Sequence, residues 1–174
     1  HNRNPVISLI AEEGIRAISS ALPTIAVEND NRQARTNALY GAWLCGISLG
    51  SVSMAIHHKL CHTLGGTFNL PHAEIHTIVL PHAVAYNSAA APEAMDRIAR
   101  ALGKSDAATG LYDLAAGLTT TMALKDLGMT EEEIDIAADI AMKNVYPNPR
   151  LLERDAIRKV IASAWAGIRP KSTN

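Results

Sequence analysis

Six of the seven histidines in this 174-residue chain lie in the stretch between Ser53 and His82. His58 and His62 are four residues apart, so on a helix their imidazoles project from the same face. Such a pair is a common way to offer two imidazoles to one metal ion or to one substrate. Histidine can also exchange a proton near neutral pH. The spacing indicates a functional pair and leaves both roles open.

Three neighbours of this pair carry chemically useful side chains. His57 and Cys61 form a second pair with the same spacing, rotated by about 100° around the helix. Nothing in the sequence indicates a thiolate-stabilising setting, so Cys61 is expected to be a small buried hydrophobe. Lys59 has two interpretations: a surface lysine with a buried stem, or a cation for a substrate carboxylate.

The histidine helix is expected to run through Leu64 and to end at Gly65–Gly66. A turn there would let the chain double back and bring His72 to the same place as the pair. His76 and His82 are six residues apart and do not share an evident face. Each of them alone is expected to be a hydrogen-bonded structural histidine.

Composition favours an all-α fold, and the helix punctuation along the chain indicates a single helical domain of about eight helices. Apolar residues make up 48% of the chain but aromatic residues only 4%, which favours close-packed helices over a sheet. The net charge of −1 offers no basic surface to nucleic acid. Two cysteines are too few for a disulfide framework, and no signal peptide is visible, so we expect a cytoplasmic protein.

Residues 36–56 contain no charged side chain, which is about the length that spans a bilayer. The stretch also contains glycines, hydroxyl residues and an asparagine, and no second such segment is present. A buried helix or helix pair at the centre of a soluble bundle is therefore the preferred interpretation, with a membrane protein as the weakest alternative.

Helix punctuation recurs along the chain. Asn4–Pro5 is expected to open a helix that stops at Pro23, and Pro81 is expected to kink or interrupt the segment that starts at His72. The remaining predicted caps and breaks are Gly46, Gly50, Ala91–Pro92, Gly103, Ser105 before a helix over residues 106–124, Thr130 with Glu133, and Asn148–Pro149 at the start of the last helix.

The stretch "HHKLCHTLGGTFNLPH", followed by "LPHAVAYN", resembles the C-terminal half of the iron-containing alcohol dehydrogenase family. The form "LPHAEIHTIVLPHAVAYNSAAAPEAM" and the later "LKDLGMTEEEIDIAADIAMKNVYPNPR" are similar to the maleylacetate reductase branch. The resemblance covers nearly the whole chain. It implies a two-domain enzyme in which an α/β domain binds NADH or NADPH and an all-helical domain forms the other wall of the cleft.

By this resemblance the chain is the second domain alone. It begins without methionine, directly before a helix, and has no glycine-rich strand–helix turn for a pyrophosphate. We therefore expect it to be cut from a longer protein and to be inactive by itself. The expected partners are its own N-terminal nucleotide-binding domain, a small dicarboxylate substrate and a second copy in a homodimer, with no nucleic acid and no membrane.

The resemblance also implies residue roles. His58 and His72 match the third and fourth metal ligands of the iron-dependent members, whose first two ligands would lie upstream of His1. The reductase branch implies that no metal is required. His62 matches the histidine beside the nicotinamide and the substrate, and it is the expected general acid. His58, His62 or His72 would stabilise an enolate oxygen, and Lys59 and His57 would contact the substrate.

Two other functions stay open at this stage. One is a metal-dependent alcohol dehydrogenase of the same superfamily, acting on a small alcohol or aldehyde. The other is a non-enzymatic helical interaction domain in which the histidines only pack.

Overall fold

The computed structural model describes residues 2–118, 121–144 and 146–171. These residues form eight α-helices and two 3₁₀ turns, Ser88–Ala90 and Leu124–Leu127, and contain no strand. The predicted all-α class is confirmed. The helices are α1 Pro5–Val27, α2 Arg32–Ser51, α3 Ile56–Phe68, α4 His72–Asn87, α5 Pro92–Leu102, α6 Ala107–Gly117, α7 Glu133–Ala141 and α8 Arg154–Ala166.

The two histidine-bearing helices, α3 and α4, lie in the main hydrophobic core. They pack against each other, α3 also packs against α7, and α4 packs against α6 and α8. Ile56, Leu60 and Leu64 recur every fourth residue along α3 and are almost fully buried. This apolar stripe holds one side of α3 against the core, and the opposite side is left for the histidines.

The end of α3 differs from the prediction. The helix continues through Gly65 and Gly66 to Phe68, and the chain reverses at Asn69, which adopts φ 54° in the left-handed region. A glycine inside a helix costs only about 1 kcal/mol, so the packing of the last turn outweighs it. The turn to His72 therefore exists, but it is built from Asn69, Leu70 and Pro71.

Neither interior proline ends its helix. Pro23 lies inside α1, which continues to Val27, and Pro81 lies inside α4, which continues to Asn87. The prediction that the first helix stops at Pro23 is wrong, and Pro81 does not interrupt α4. Burial of the flanking turns explains this for α4, because Ile78, Val79, Ala83 and Tyr86 are all in the core.

Helix α2 contradicts the interpretation of residues 36–56 as a buried centre. It packs mainly against α1, and its outer face exposes Leu39, Trp43 and Leu49. Gly46 and Gly50 do not break it. No single helix among the described residues is long and apolar enough to cross a membrane. Only α2 and α3 together have the length and apolar composition of a span, and they are bent by 96° relative to each other.

Some of the predicted helix caps are present in the structure and others are not. Asn4 accepts a hydrogen bond from the Ile7 N–H, and Gly103 ends α5 at φ 64°. Glu133 accepts from the Thr130 N–H at 2.8 Å, which is one of the two bonds of a capping box. The full box is not formed, because α7 begins at Glu133 and its N-cap is Glu132, without a side-chain cap bond. Asp106, not Ser105, caps α6, and α6 ends at Gly117; the predicted continuation includes Thr119 and Thr120, which lie outside the described residues.

The last helix begins at Arg154, not at Asn148–Pro149. The Asn148 side chain is occupied elsewhere: its Nδ2 donates to the Arg150 carbonyl at 2.7 Å and to Asn87 Oδ1 at 2.8 Å. An asparagine that bridges distant elements cannot also cap the helix that follows it, so the segment before Arg154 stays irregular.

Candidate active site

His58 and His62 lie on one face of α3, as their spacing predicts. The rings of His58 and His62 have centroids 4.7 Å apart. His72 is the first residue of α4, and its ring lies 6.2 Å from that of His62. The structure therefore brings the three predicted catalytic histidines together where α3 and α4 pack.

His76 completes the group. Its ring centroid lies 4.3 Å from that of His72 and 5.0 Å from that of His58. The four rings of His58, His62, His72 and His76 form a closed loop, which we call the histidine ring. His76 was expected to be structural on its own, but it follows His72 by four residues, the same spacing that identified His58 and His62.

A pocket of about 260 Å³ opens beside His58 and His62. Lys59 also lines it, with its Nζ 5.8 Å from the centroid of the Tyr146 ring. Of the two interpretations of Lys59, this position favours the cation for a carboxylate. A flat aromatic face beside a lysine holds the ammonium group without neutralising it.

Tyr146 was not identified from the sequence. It lines the same pocket, and its buried hydroxyl has no hydrogen-bond partner among the described residues. Burial raises the pKa of Tyr146 to about 12, with a smaller contribution from Tyr86. The hydroxyl therefore stays protonated and can donate a hydrogen bond to an anionic group in the pocket. The local sequence does not indicate this role, because Tyr146 lies in the irregular segment before α8 and has no helical spacing to the histidines.

Two imidazoles of the histidine ring, those of His58 and His76, favour the uncharged state. Burial lowers the pKa of His58, and the neighbouring His62 and His72 lower it further. Burial lowers the pKa of His76 to about 4, with smaller effects from the other four histidines around it. Crowded imidazoles disfavour each other's protonation. Near neutral pH, His58 and His76 are neutral, and each has one donor and one acceptor nitrogen.

His57 and Cys61 face the other way, toward α4. His57 Nε2 donates a hydrogen bond to the His76 carbonyl oxygen at 3.1 Å. Cys61 is fully buried, and burial raises the pKa of its thiol to about 12, so the free side chain is a neutral thiol. This agrees with the buried position expected for Cys61.

His82 does not join the group. It is buried at 3% exposure and lines a different cavity, together with Tyr86 and Arg150. Its Nε2 has no partner among the described residues. Burial alone lowers the pKa of His82 to about 4.

The predicted metal ligands in this chain are two, His58 and His72. Among residues 2–118, 121–144 and 146–171, no third histidine, cysteine or carboxylate forms a compact ligand group with them. Two imidazoles do not fill a tetrahedral metal site. This chain therefore supplies only two of the residues that the resemblance assigns to the family's metal centre.

Comparison with known proteins gives a consistent result. The family model for "Fe-containing alcohol dehydrogenase family, C-terminal" matches residues 1–165. The chain is 62% identical over 170 residues to maleylacetate reductase of Burkholderia cepacia, covering 98% of this chain and 48% of that protein. The chain spans about half the length of the curated relatives it matches.

Solved structures share the fold. The crystal structure of maleylacetate reductase from Rhizobium sp. strain MTP-10005 matches with a TM-score of 0.94 and 47% identity, over 98% of this chain and 48% of that one. A putative alcohol dehydrogenase from Ralstonia eutropha JMP134 matches with a TM-score of 0.94 and 58% identity, over 97% of this chain and 48% of that one.

Proposed function

Since the chain belongs to the Fe-containing alcohol dehydrogenase family, whose C-terminal part it matches, we propose that it is the helical catalytic domain of a maleylacetate reductase. The expected family resemblance is confirmed. The proposed reaction is the NADH- or NADPH-dependent reduction of the carbon–carbon double bond of maleylacetate to 3-oxoadipate, in the degradation of aromatic compounds. The observation that supports it best is the pocket that His58, His62 and Lys59 share.

The nicotinamide cofactor belongs to the other half of the proposed enzyme. We propose an N-terminal nucleotide-binding domain that holds NADH or NADPH mainly by itself, with His62 as the contact from this chain. His62 is exposed near the middle of α3, so a second domain can approach it. The cleft between the two domains is then the active site, so the 174-residue chain alone has little or no activity.

The chemistry needs a donor for developing charge. Hydride adds to the carbon β to the ketone of maleylacetate, and the electron pair of the double bond moves to give an enolate. A preorganised hydrogen-bond donor beside that oxygen is worth several kcal/mol of barrier. Imidazole N–H groups of His58 and His72 are the proposed donors. His62 is the proposed general acid that protonates the carbon adjacent to the ketone.

The substrate carries two carboxylates, and the pocket offers groups for them. Lys59 is the proposed ion-pair partner of one carboxylate, and the Tyr146 hydroxyl is a further donor beside it. The substrate contact expected of His57 finds no support in this pocket, because the His57 ring turns toward α4 and bonds to the His76 carbonyl oxygen. If a metal binds in the intact enzyme, His58 and His72 are the ligands that this chain would supply.

A metal-dependent alcohol dehydrogenase is the second candidate. The 58% identical neighbour described as a putative alcohol dehydrogenase favours it. Only the reductase has a dicarboxylate substrate, which needs a cationic side chain to bind its carboxylates. Lys59 in the pocket therefore favours the reductase.

The full-length protein distinguishes these functions. Purified enzyme is mixed with maleylacetate and either NADH or NADPH, cofactor oxidation is followed, and 3-oxoadipate is identified by mass spectrometry. Small aldehydes are tested in parallel, with and without added iron or zinc. Aldehyde reduction that requires metal, without any maleylacetate-dependent oxidation, would contradict the proposal. Light scattering of the same sample tests the proposed homodimer.

A further inference from the structure

A second group of potential ligands lies between α3 and α4 and shares His76 with the histidine ring. His57 and Cys61 occupy adjacent turns of α3, and His76 reaches them from α4. One ring nitrogen from each histidine and Cys61 Sγ all lie within 4.8 Å of one another. It is the one compact group of three histidine, cysteine or carboxylate side chains among the residues that the structure describes.

A tautomer assignment supports a ligand role for His57. Its Nε2 lies 3.1 Å from the His76 carbonyl oxygen, which can only accept, so the proton must be on Nε2. Nδ1 then carries the free lone pair. Metal-bound histidines usually donate their other ring nitrogen to a carbonyl or a carboxylate in this way, which fixes the ring's orientation.

His76 supplies an independent observation. Its Nε2 is buried and has no hydrogen-bond partner in the described part of the chain. A buried polar atom without a partner destabilises the folded chain, and a purely structural histidine would normally have its ring nitrogens hydrogen-bonded. Packing explains the burial of Cys61 but does not explain the unsatisfied nitrogen beside it. A ligand that accepts the lone pair of this nitrogen removes this destabilisation.

We propose that His57, Cys61 and His76 bind a Zn²⁺ ion, at a site distinct from the family's position at His58 and His72. One thiolate and two imidazoles suit a borderline-soft divalent ion, and three protein ligands leave the fourth tetrahedral position to water. Binding replaces the Cys61 thiol proton, which leaves to solvent, with an S–Zn bond.

The geometry requires only a local adjustment. Zn–N bonds of about 2.0–2.1 Å and a Zn–S bond of about 2.3 Å place tetrahedral donors about 3.3–3.6 Å apart. The present separations, all within 4.8 Å, must shorten to this range when the ion binds. The packed contact between α3 and α4 keeps the three ligands in reach of one another.

Cobalt spectroscopy on the full-length protein tests the site. The protein is stripped with a chelator and titrated with Co²⁺, and the near-ultraviolet thiolate-to-cobalt band reports a bond to sulfur. We expect the band in the unmodified protein, its loss in Cys61→Ala, and its displacement by Zn²⁺. Cys45→Ala is the matched control, since Cys45 is the other cysteine of this chain and lies outside the group; it should keep the band.

Two further variants make the result specific. His72→Ala removes a ligand of the family's metal position and should leave the cobalt–thiolate band intact. His76→Asn should weaken Zn²⁺ binding by at least about 100-fold, measured in competition with a chromophoric chelator. This variant replaces Cys61→Ala as the test if circular dichroism shows that Cys61→Ala does not fold. No thiolate band in the unmodified protein, or equal Zn²⁺ affinity in His76→Asn, would overturn the proposal.

Discussion

Asn148 and Asn87 exchange two side-chain amide hydrogen bonds, of 2.8 and 3.2 Å. Asn148 Oδ1 also lies 3.4 Å from the Ile56 backbone N–H, at the start of α3. Asn87 is the last residue of α4. One asparagine from the segment before α8 therefore joins the first residue of one histidine-bearing helix to the last residue of the other.

Replacing Asn148 with alanine should lower the free energy of unfolding of the chain by about 2 kcal/mol, because it leaves partly buried amide groups without partners. Urea unfolding at neutral pH measures the change. Asn37→Ala is the control, since Asn37 makes only a surface contact with Gln33, and its effect should stay within about 0.5 kcal/mol. Equal stability of the two variants would refute the bridging role of Asn148.

The contact between α1 and α2 depends on glycine at position 41. A methyl group there would lie 2.7 Å from Ile18 Cγ1 and 2.9 Å from the Gly14 carbonyl oxygen. Gly41→Ala should destabilise the chain by about 1–3 kcal/mol despite its better helix propensity. Gly46 lies on the same helix with open space around it, so Gly46→Ala should raise stability by about 0.5–1 kcal/mol. Thermal unfolding of both variants checks the opposite signs.

Buried His82 should make the protein acid-sensitive. Its pKa is about 4 in the folded chain and 6.5 without burial. Below pH 6.5 the unfolded chain therefore binds more protons, so stability falls as the pH decreases from 6.5 to 4, by about 3 kcal/mol in full. His82→Met removes this proton uptake. The loss of unfolding free energy between pH 7 and pH 4 should be smaller in the variant by about that amount.

The comparison isolates His82, because His76 and the carboxylates titrate in both proteins. Parallel pH profiles of the two proteins would show that the His82 imidazole is not held neutral by burial.

Lys59 should act on substrate binding. In the full-length enzyme, Lys59→Met should raise KM for maleylacetate by about 10–100-fold and change kcat less, because it removes a charge-assisted contact to a carboxylate. Lys125→Met is a matched control: Lys125 Nζ also lies 5.8 Å from an aromatic centroid, that of Trp165, but away from the pocket. If both variants show the same KM, Lys59 does not bind the substrate.

The parts of the site that follow from local geometry were predictable. The shared face of His58 and His62 follows from helical periodicity, and the same rule applied to His72 and His76 would have added the fourth histidine. The prediction that the chain doubles back and brings His72 beside the pair was correct, although the turn lies at Asn69 and not at Gly65–Gly66. Helix propensity misplaced that end because packing of the following turn outweighs the cost of two glycines.

Long-range features could not be predicted in this way. Tyr146 and Asn148 come from an irregular segment that reaches the site only after α7 and α8 have packed on α3 and α4. Nothing in their neighbouring residues indicates where that segment lies. Helix α2 is a further example. Its lack of charged residues predicted a buried helix, but its outer face is exposed.

The central claim is that the converging imidazoles of α3 and α4 carry out the proton transfer of the proposed reaction. The most direct test is kcat of full-length His62→Ala with maleylacetate, beside Thr67→Ala, an exposed α3 residue outside the pocket. We predict a kcat reduced by ~100-fold or more in His62→Ala and unchanged in Thr67→Ala. A near-normal kcat in His62→Ala would contradict the assignment of His62 as the general acid.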